Sequence, residues 1–92
     1  MNDFENVNPI YRIEAEKLVK GLIENGIEFD YQECWDGVQI YCDEWDAVCH
    51  SGSYGHEQGL LELMGTIVNV DDEEVEGWLT ADEILQRLNL TV

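Results

Sequence analysis

Cys34, Cys42, Cys49, His50 and His56 are the side chains of this sequence best suited to soft-metal or thiol chemistry. A zinc centre needs close pairs such as C-x2-C converging on one point. The strand register read below instead separates Cys34 and His50 on one face from Cys42 and Cys49 on the other. A nucleophilic Cys49 with His50 or His56 as base would need a thiolate stabilised by nearby positive charge. No lysine or arginine lies between Lys20 and Arg87, and a negative field raises a thiol pKa. Cys42 and Cys49 therefore read as small buried apolar groups.

The carboxylates could in principle serve as an acid–base pair or a hard-cation site, but no pair is set apart from its many neighbours. Gly52, Gly55 and Gly59 look like a glycine-rich loop before a helix, yet the lysine that completes a phosphate-binding loop is missing. Asp71 to Glu76 is acidic enough to attract calcium, but it lacks the alternating ligands and central glycine of an EF-hand. It reads as a solvated acidic loop. No cofactor, no metal and no catalytic residue are expected.

What remains is charge. The chain carries 21 aspartates and glutamates against 4 lysines and arginines, for a net charge of −17. A small domain needs a net charge of only about 2 to 8 in magnitude to stay in solution. The excess disfavours nucleic acid, phosphorylated ligands and anionic membranes as direct partners, and favours a basic protein. An acidic disordered chain would be poor in large apolar residues, whereas 45% of this one is hydrophobic and 10% aromatic. The 92 residues are expected to fold as a single domain, 1–92, with salt helping by screening carboxylate repulsion. The start Met1-Asn2-Asp3-Phe4-Glu5 lacks the basic and apolar regions of a signal peptide. No run approaches the roughly 20 apolar residues of a membrane span, and 3 cysteines suit reduced thiols better than a disulfide framework. The expected location is cytoplasmic.

The elements that position these groups follow from period and punctuation. Asn8-Pro9 starts a helix that runs to Asn25-Gly26, its apolar stripe being Tyr11, Ala15, Leu18, Val19, Leu22 and Ile23. From Ile27 the period becomes two. An Asp36-Gly37 turn predicts a hairpin pairing Trp35 with Val38, Glu33 with Ile40 and Tyr31 with Cys42. A second turn at Asp43-Glu44 pairs Cys42 with Trp45. One face then carries Ile27, Phe29, Tyr31, Trp35, Val38, Ile40, Cys42, Trp45, Ala47 and Cys49, broken only by Glu33. The other shows water Glu28, Asp30, Gln32, Gln39, Tyr41, Asp46, Val48 and His50.

After a loop at 51–56, residues Glu57 to Met64 read as a short helix burying Leu60, Leu61, Leu63 and Met64. Thr66 to Val70 fits either an edge strand or a link. Asp71 to Gly77 reads as the acidic loop, with Trp78-Leu79 anchoring the chain to the core. Thr80 and Glu83 form a capping box for a last helix whose apolar face is Ile84, Leu85 and Leu88, with Leu79 and Ile84 as a hydrophobic staple. The predicted fold class is α+β: a three-stranded antiparallel meander packed against an N-terminal helix, with two short C-terminal helices (α-β-β-β-α-α).

The segments Ser53 to Gly65 and Val75 to Glu83 resemble small uncharacterised proteins of phages and prophages of Gram-positive bacteria. Those families bring no catalytic residues. In being short, acidic and aromatic, the chain is also similar in composition to antirestriction and anti-CRISPR DNA mimics, a likeness that assigns no residue a role. Strand spacing of about 4.8 Å and same-face spacing of about 6.6 Å would order the carboxylates into an array that stands in for phosphates. The expected function is a non-enzymatic, phage-type acidic binding protein that inhibits a basic nucleic-acid-binding host protein of restriction or CRISPR type. It would do so without touching nucleic acid or membrane, from the cytoplasm of the host cell. The predicted contacts are Glu28, Asp30, Asp36, Asp43, Glu44 and Asp46, with Tyr41, Asp71, Asp72, Glu73, Glu74 and Glu76 beside them. The alternatives are an assembly module, monomer or dimer, that self-associates while its charge serves solubility, and a thiol or metal enzyme.

Overall fold

The computed structural model describes residues 7–42, 44–65 and 75–88. Its element order is α1 (Pro9–Glu24), β1 (Asp30–Cys34), β2 (Gly37–Tyr41), β3 (Trp45–Cys49), β4 (Leu61–Gly65), β5 (Val75–Leu79) and α2 (Ala81–Arg87). The strands form one five-stranded antiparallel meander in the order β1-β2-β3-β4-β5. Both helices pack on one face of it. The α+β class is as expected, but the element order is α-β-β-β-β-β-α.

The first helix begins as its sequence predicts. Asn8 Oδ1 accepts from the Ile10 amide at 3.2 Å and Pro9 occupies the first turn, where its missing N–H loses nothing. It stops where Gly26 takes φ 69°, the Gly26 amide reaching the Ile23 carbonyl at 3.1 Å and the Ile27 amide the Leu22 carbonyl at 3.0 Å. That pair of bonds satisfies the orphan carbonyls of the last turn. Ala15, Leu18, Val19 and Leu22 are buried as expected, but Ile23 is 63% exposed. The buried arc is rotated toward Gly21, against which the Leu85 side chain of α2 presses. A second helix beside the first thus moved the stripe away from Ile23.

The first hairpin keeps its alternation and changes its register, and Tyr31, expected on the buried face, is 37% exposed. Glu33 pairs with Val38, Tyr31 with Ile40 and Cys34 with Gly37, a shift of two residues from the predicted alignment. Trp35 and Asp36 become the turn, and Trp35 takes φ 58°. Gly37 is used for closeness instead of for positive φ: a Cβ there would overlap the Cys49 carbonyl and lie 2.7 Å from the His50 Cα. The β2–β3 register is as predicted, with Val38 opposite Cys49 and Ile40 opposite Ala47.

Residues 57–64 do not form a helix. A single 3₁₀ turn at His56–Gln58 ends at Gly59, which has φ 73°, and β4 follows. Within the run Leu60 to Met64 the alternation is two: Leu61 and Leu63 are buried inward while Glu62 and Met64 face the other way and are half-buried. Short apolar runs of this length do not declare their period, and strand pairing on both sides decided it. That pairing makes β3 the central strand, so Val48, expected to face water, is buried opposite Glu62. Val75, Glu76 and Gly77, expected in the acidic loop, belong to β5, so the loop reading fails there. Thr66 to Val70 and Asp71 to Glu74 lie outside the described residues.

The core joins Val38, Ile40, Trp45, Ala47, Cys49, Leu61, Leu63 and Leu79 of the sheet to the inner faces of α1 and to Ala81, Ile84 and Leu85 of α2. The Thr80–Glu83 capping box is formed: the Glu83 amide donates to Thr80 Oγ1 at 3.2 Å and the Thr80 amide to Glu83 Oε1 at 3.1 Å. Glu14 of α1 adds a further acceptor, taking the Ala81 amide at 2.8 Å. A carboxylate there satisfies an orphan donor of α2 and ties the two helices together.

Candidate functional site

An up-and-down meander sorts its connections to two ends, and here the sorting is chemical. At one end lie the Ile27–Phe29 link into β1, the tight connection from β2 to β3, and Gly65 and Val75, which bracket residues 66–74. At the other lie the Trp35–Asp36 turn, the 50–60 connection and the step from β5 into α2.

The first end holds a cleft of about 730 Å³ lined by Ile27, Glu28, Phe29, Asp30, Tyr41, Cys42, Glu44 and Trp45. A shallower groove shares Tyr41, Cys42, Glu44 and Trp45 and continues across the outer sheet face past Gln32, Gln39 and Asp46. Side-chain bonds cross-link this surface. Gln32 Nε2 donates to Gln39 Oε1 at 2.7 Å and Gln39 Nε2 to Asp46 Oδ2 at 3.0 Å, a ladder that runs over three strands and holds the Asp46 carboxylate in place. The Cys42 thiol donates to the Glu28 carbonyl at 3.3 Å, fastening the entry to β1 against the end of β2.

Of the residues singled out in the sequence, Glu28, Asp30, Tyr41 and Glu44 therefore meet in one cleft, and Asp46 adjoins it. Asp36 does not join them. It sits at the opposite end and accepts from the Ser51 amide at 2.9 Å, a bond that holds its carboxyl below the ordinary range. Glu76 does not join them either, because both its oxygens are taken by Arg87 at 2.6 and 2.5 Å, and this pairing raises the guanidinium pKa further. Asp43, Asp71, Asp72, Glu73 and Glu74 lie outside the described residues.

The cations are sorted as sharply as the acids. Arg12, Lys17 and Lys20 belong to α1 and Arg87 to α2, which accounts for all 4 in the chain. Three of them pair within the helix layer or with the strand beneath it, as Arg12 with Glu16 at 3.8 Å, Lys17 with Glu14 at 3.1 Å and Arg87 with Glu76. The strands and their connections contain no lysine or arginine, so the field of Glu28, Asp30, Glu44 and Asp46 meets no compensating charge on its own face.

The opposite end carries exposed rings that the sequence reading placed inside. Trp35, assigned to the inner face, is 79% exposed, and its ring lies 4.9 Å from that of His50. Trp78, assigned as an anchor, is 56% exposed and stacks on Tyr54 at 5.5 Å; Leu79 alone is the anchor. Both tryptophans hold φ 58°, a conformation rare for a bulky residue. No residue pattern announces it.

Cys42, Cys49 and both histidines make contacts within the fold. His50 Nδ1 accepts from the Gly52 amide at 3.0 Å, and His56 Nδ1 lies 3.4 Å from the Tyr11 hydroxyl. Cys49 is buried, and burial, aided by the Asp36 charge, pushes its thiol from 9.0 up to about 11. Because the folded state holds this proton more tightly than the unfolded one, its contribution is complete below about pH 9 and is lost as pH rises toward 11. Alkylation followed by mass spectrometry at neutral pH should label Cys34 and Cys42 before Cys49; rapid labelling of Cys49 would return it to candidacy as a nucleophile. Among the described residues no three of the histidines, cysteines and carboxylates are grouped to hold a metal ion. Among them, too, no helix is long and apolar enough to cross a membrane. No family model, curated protein or solved structure matches the chain.

Proposed function

We propose that this chain is a non-enzymatic binding protein of phage type whose acidic cleft docks on a basic, nucleic-acid-binding host protein and occupies the surface that nucleic acid would use. The observation that carries the reading is the separation of charge: every lysine and arginine lies in the helices, while Glu28, Asp30, Glu44 and Asp46 line one cleft and the groove beside it. A protein that binds nucleic acid draws much of its affinity from phosphate contacts. Carboxylates fixed on strands and tight links can take those contacts without the entropy cost that mobile acidic tails would carry. Tyr41, which lines both concavities, offers a half-buried ring and hydroxyl for an arginine or a main-chain group.

The test is capture from a bacterial host lysate at low and high salt, with DNA as competitor. The expected result is recovery of a basic protein that is released by either, since association steered by charge weakens with ionic strength. Capture of a partner insensitive to both salt and DNA would remove the reading.

A further inference from the structure

The solvent side of α1 is complementary to itself. At about 100° per residue, Ile13, Glu16, Lys20 and Ile23 fall within about 80° of arc on the exposed side of the helix. Ile13 is 52% and Ile23 63% exposed. A shallow groove of about 370 Å³ runs along Glu16, Val19, Lys20, Ile23 and Glu24. The four stripe positions are placed symmetrically about Leu18: the isoleucines are five residues from it on either side, and Glu16 and Lys20 two. A second α1 laid antiparallel across this stripe meets isoleucine with isoleucine at both ends and glutamate with lysine twice in the middle. Arg12 and Glu24, six residues either side of Leu18, correspond in the same way.

From this we infer that the outer face of α1 is a two-fold interface between two copies of this chain. A self-complementary patch is what an isologous dimer requires. Charge selects the same face. Two molecules of net charge −17 repel over most of their surface, and the edge strand β1 offers Asp30 and Glu33 to any copy that would extend the sheet. The α1 surface holds Arg12, Lys17 and Lys20, three of the 4 cations. Since α1 runs from the aromatic end of the sheet to the acidic one, an antiparallel pair also sends the two acidic clefts to opposite ends. The inference stands apart from the partner proposed above, because dimerisation leaves the outer sheet face open and needs no second protein.

Sedimentation equilibrium over a concentration series reaching about 1 mM, the weak limit at which specific pairing is read, tests it. The expected result is a monomer–dimer equilibrium that salt strengthens, because screening the net repulsion outweighs loss at the two short Glu–Lys pairs. Salt has the reverse effect on capture of a basic partner, so the two ideas can fail separately. Ile13→Gln with Ile23→Gln should weaken the dimer at least about ten-fold, as should Lys20→Glu alone. Glu16→Lys combined with Lys20→Glu should restore it at unchanged net charge, circular dichroism confirming the fold of each variant. A protein monomeric throughout the series, a dimer that survives loss of both isoleucines, or a charge swap that fails to restore pairing would each overturn the assignment.

Discussion

Lysine at positions 28, 30 and 46 together leaves the fold in place and reduces binding to the captured basic protein by at least about a hundredfold, since even about 1 kcal/mol per reversed contact gives about 3 kcal/mol. The loss comes from two sources. Attraction at each contact becomes repulsion, and the steering field at the cleft is weakened, so association slows as well. Glu28 and Asp30 are exposed and the Asp46 carboxylate accepts from Gln39 on the outer sheet face, so no core contact among the described residues is removed. Each reversal raises the net charge by two, so −17 becomes −11. Net charge must therefore be separated from arrangement. Lysines at Glu33, Glu57 and Asp82, exposed positions outside the cleft, make the same change and should reduce binding far less. Equal loss in the two triple variants would mean that only the total charge is recognised, and undiminished binding by the first would place the contact elsewhere.

Gly37→Ala is expected to cost at least about 3 kcal/mol, a large share of the roughly 5–15 kcal/mol that holds a small domain together. The obstacle is backbone. The added methyl would overlap the Cys49 carbonyl and stand 2.7 Å from the His50 Cα, so strands β2 and β3 would have to part at the point where Asp36 and Ser51 also join them. Urea denaturation provides the measurement, with Gly26→Ala as the comparison. Gly26 has φ 69° and open space around it, so alanine there should cost only about 1 kcal/mol of backbone strain. Gly37→Asn separates the two possible registers. In a turn centred on Asp36-Gly37 asparagine is well accepted, whereas beside Cys49 its side chain is worse placed than alanine's. A Gly37→Asn variant as stable as the parent would restore the register expected from the sequence and take the cleft geometry with it.

How much could be read beforehand depended on where each signal came from. The start and stop of α1, the capping box at Thr80 and Glu83, and the β2–β3 register were legible because each rests on contacts within a few residues. The first hairpin departs by two residues from its turn signal because an Asp-Gly pair directs a turn only when its glycine is not needed for something else. Here the backbone of β3 claimed it. The run Leu60 to Met64 is ambiguous in sequence because four apolar residues in five fit either period, and β3 on one side with β5 on the other makes it a strand. That Glu28, Asp30 and Tyr41 share a face was legible from strand alternation, with Glu44 in the turn beside it. That Asp36 lay at the far end, and that Glu76 was consumed by Arg87, was not, since both facts depend on contacts with residues at least eleven positions away.

Composition and order along the chain alone determined the excess of negative charge, its exclusion of cations from the stretch between Lys20 and Arg87, the presence of a folding core, both ends of α1 and the start of α2. Those are properties of local spacing and of counting, and no packing can change them. The tertiary structure decided which carboxylates share a cleft, which are spent on internal bonds, and which large apolar side chains are left in water. Such outcomes turn on close approach between distant segments, where one missing Cβ at Gly37 or one helix lying beside another determines what faces inward.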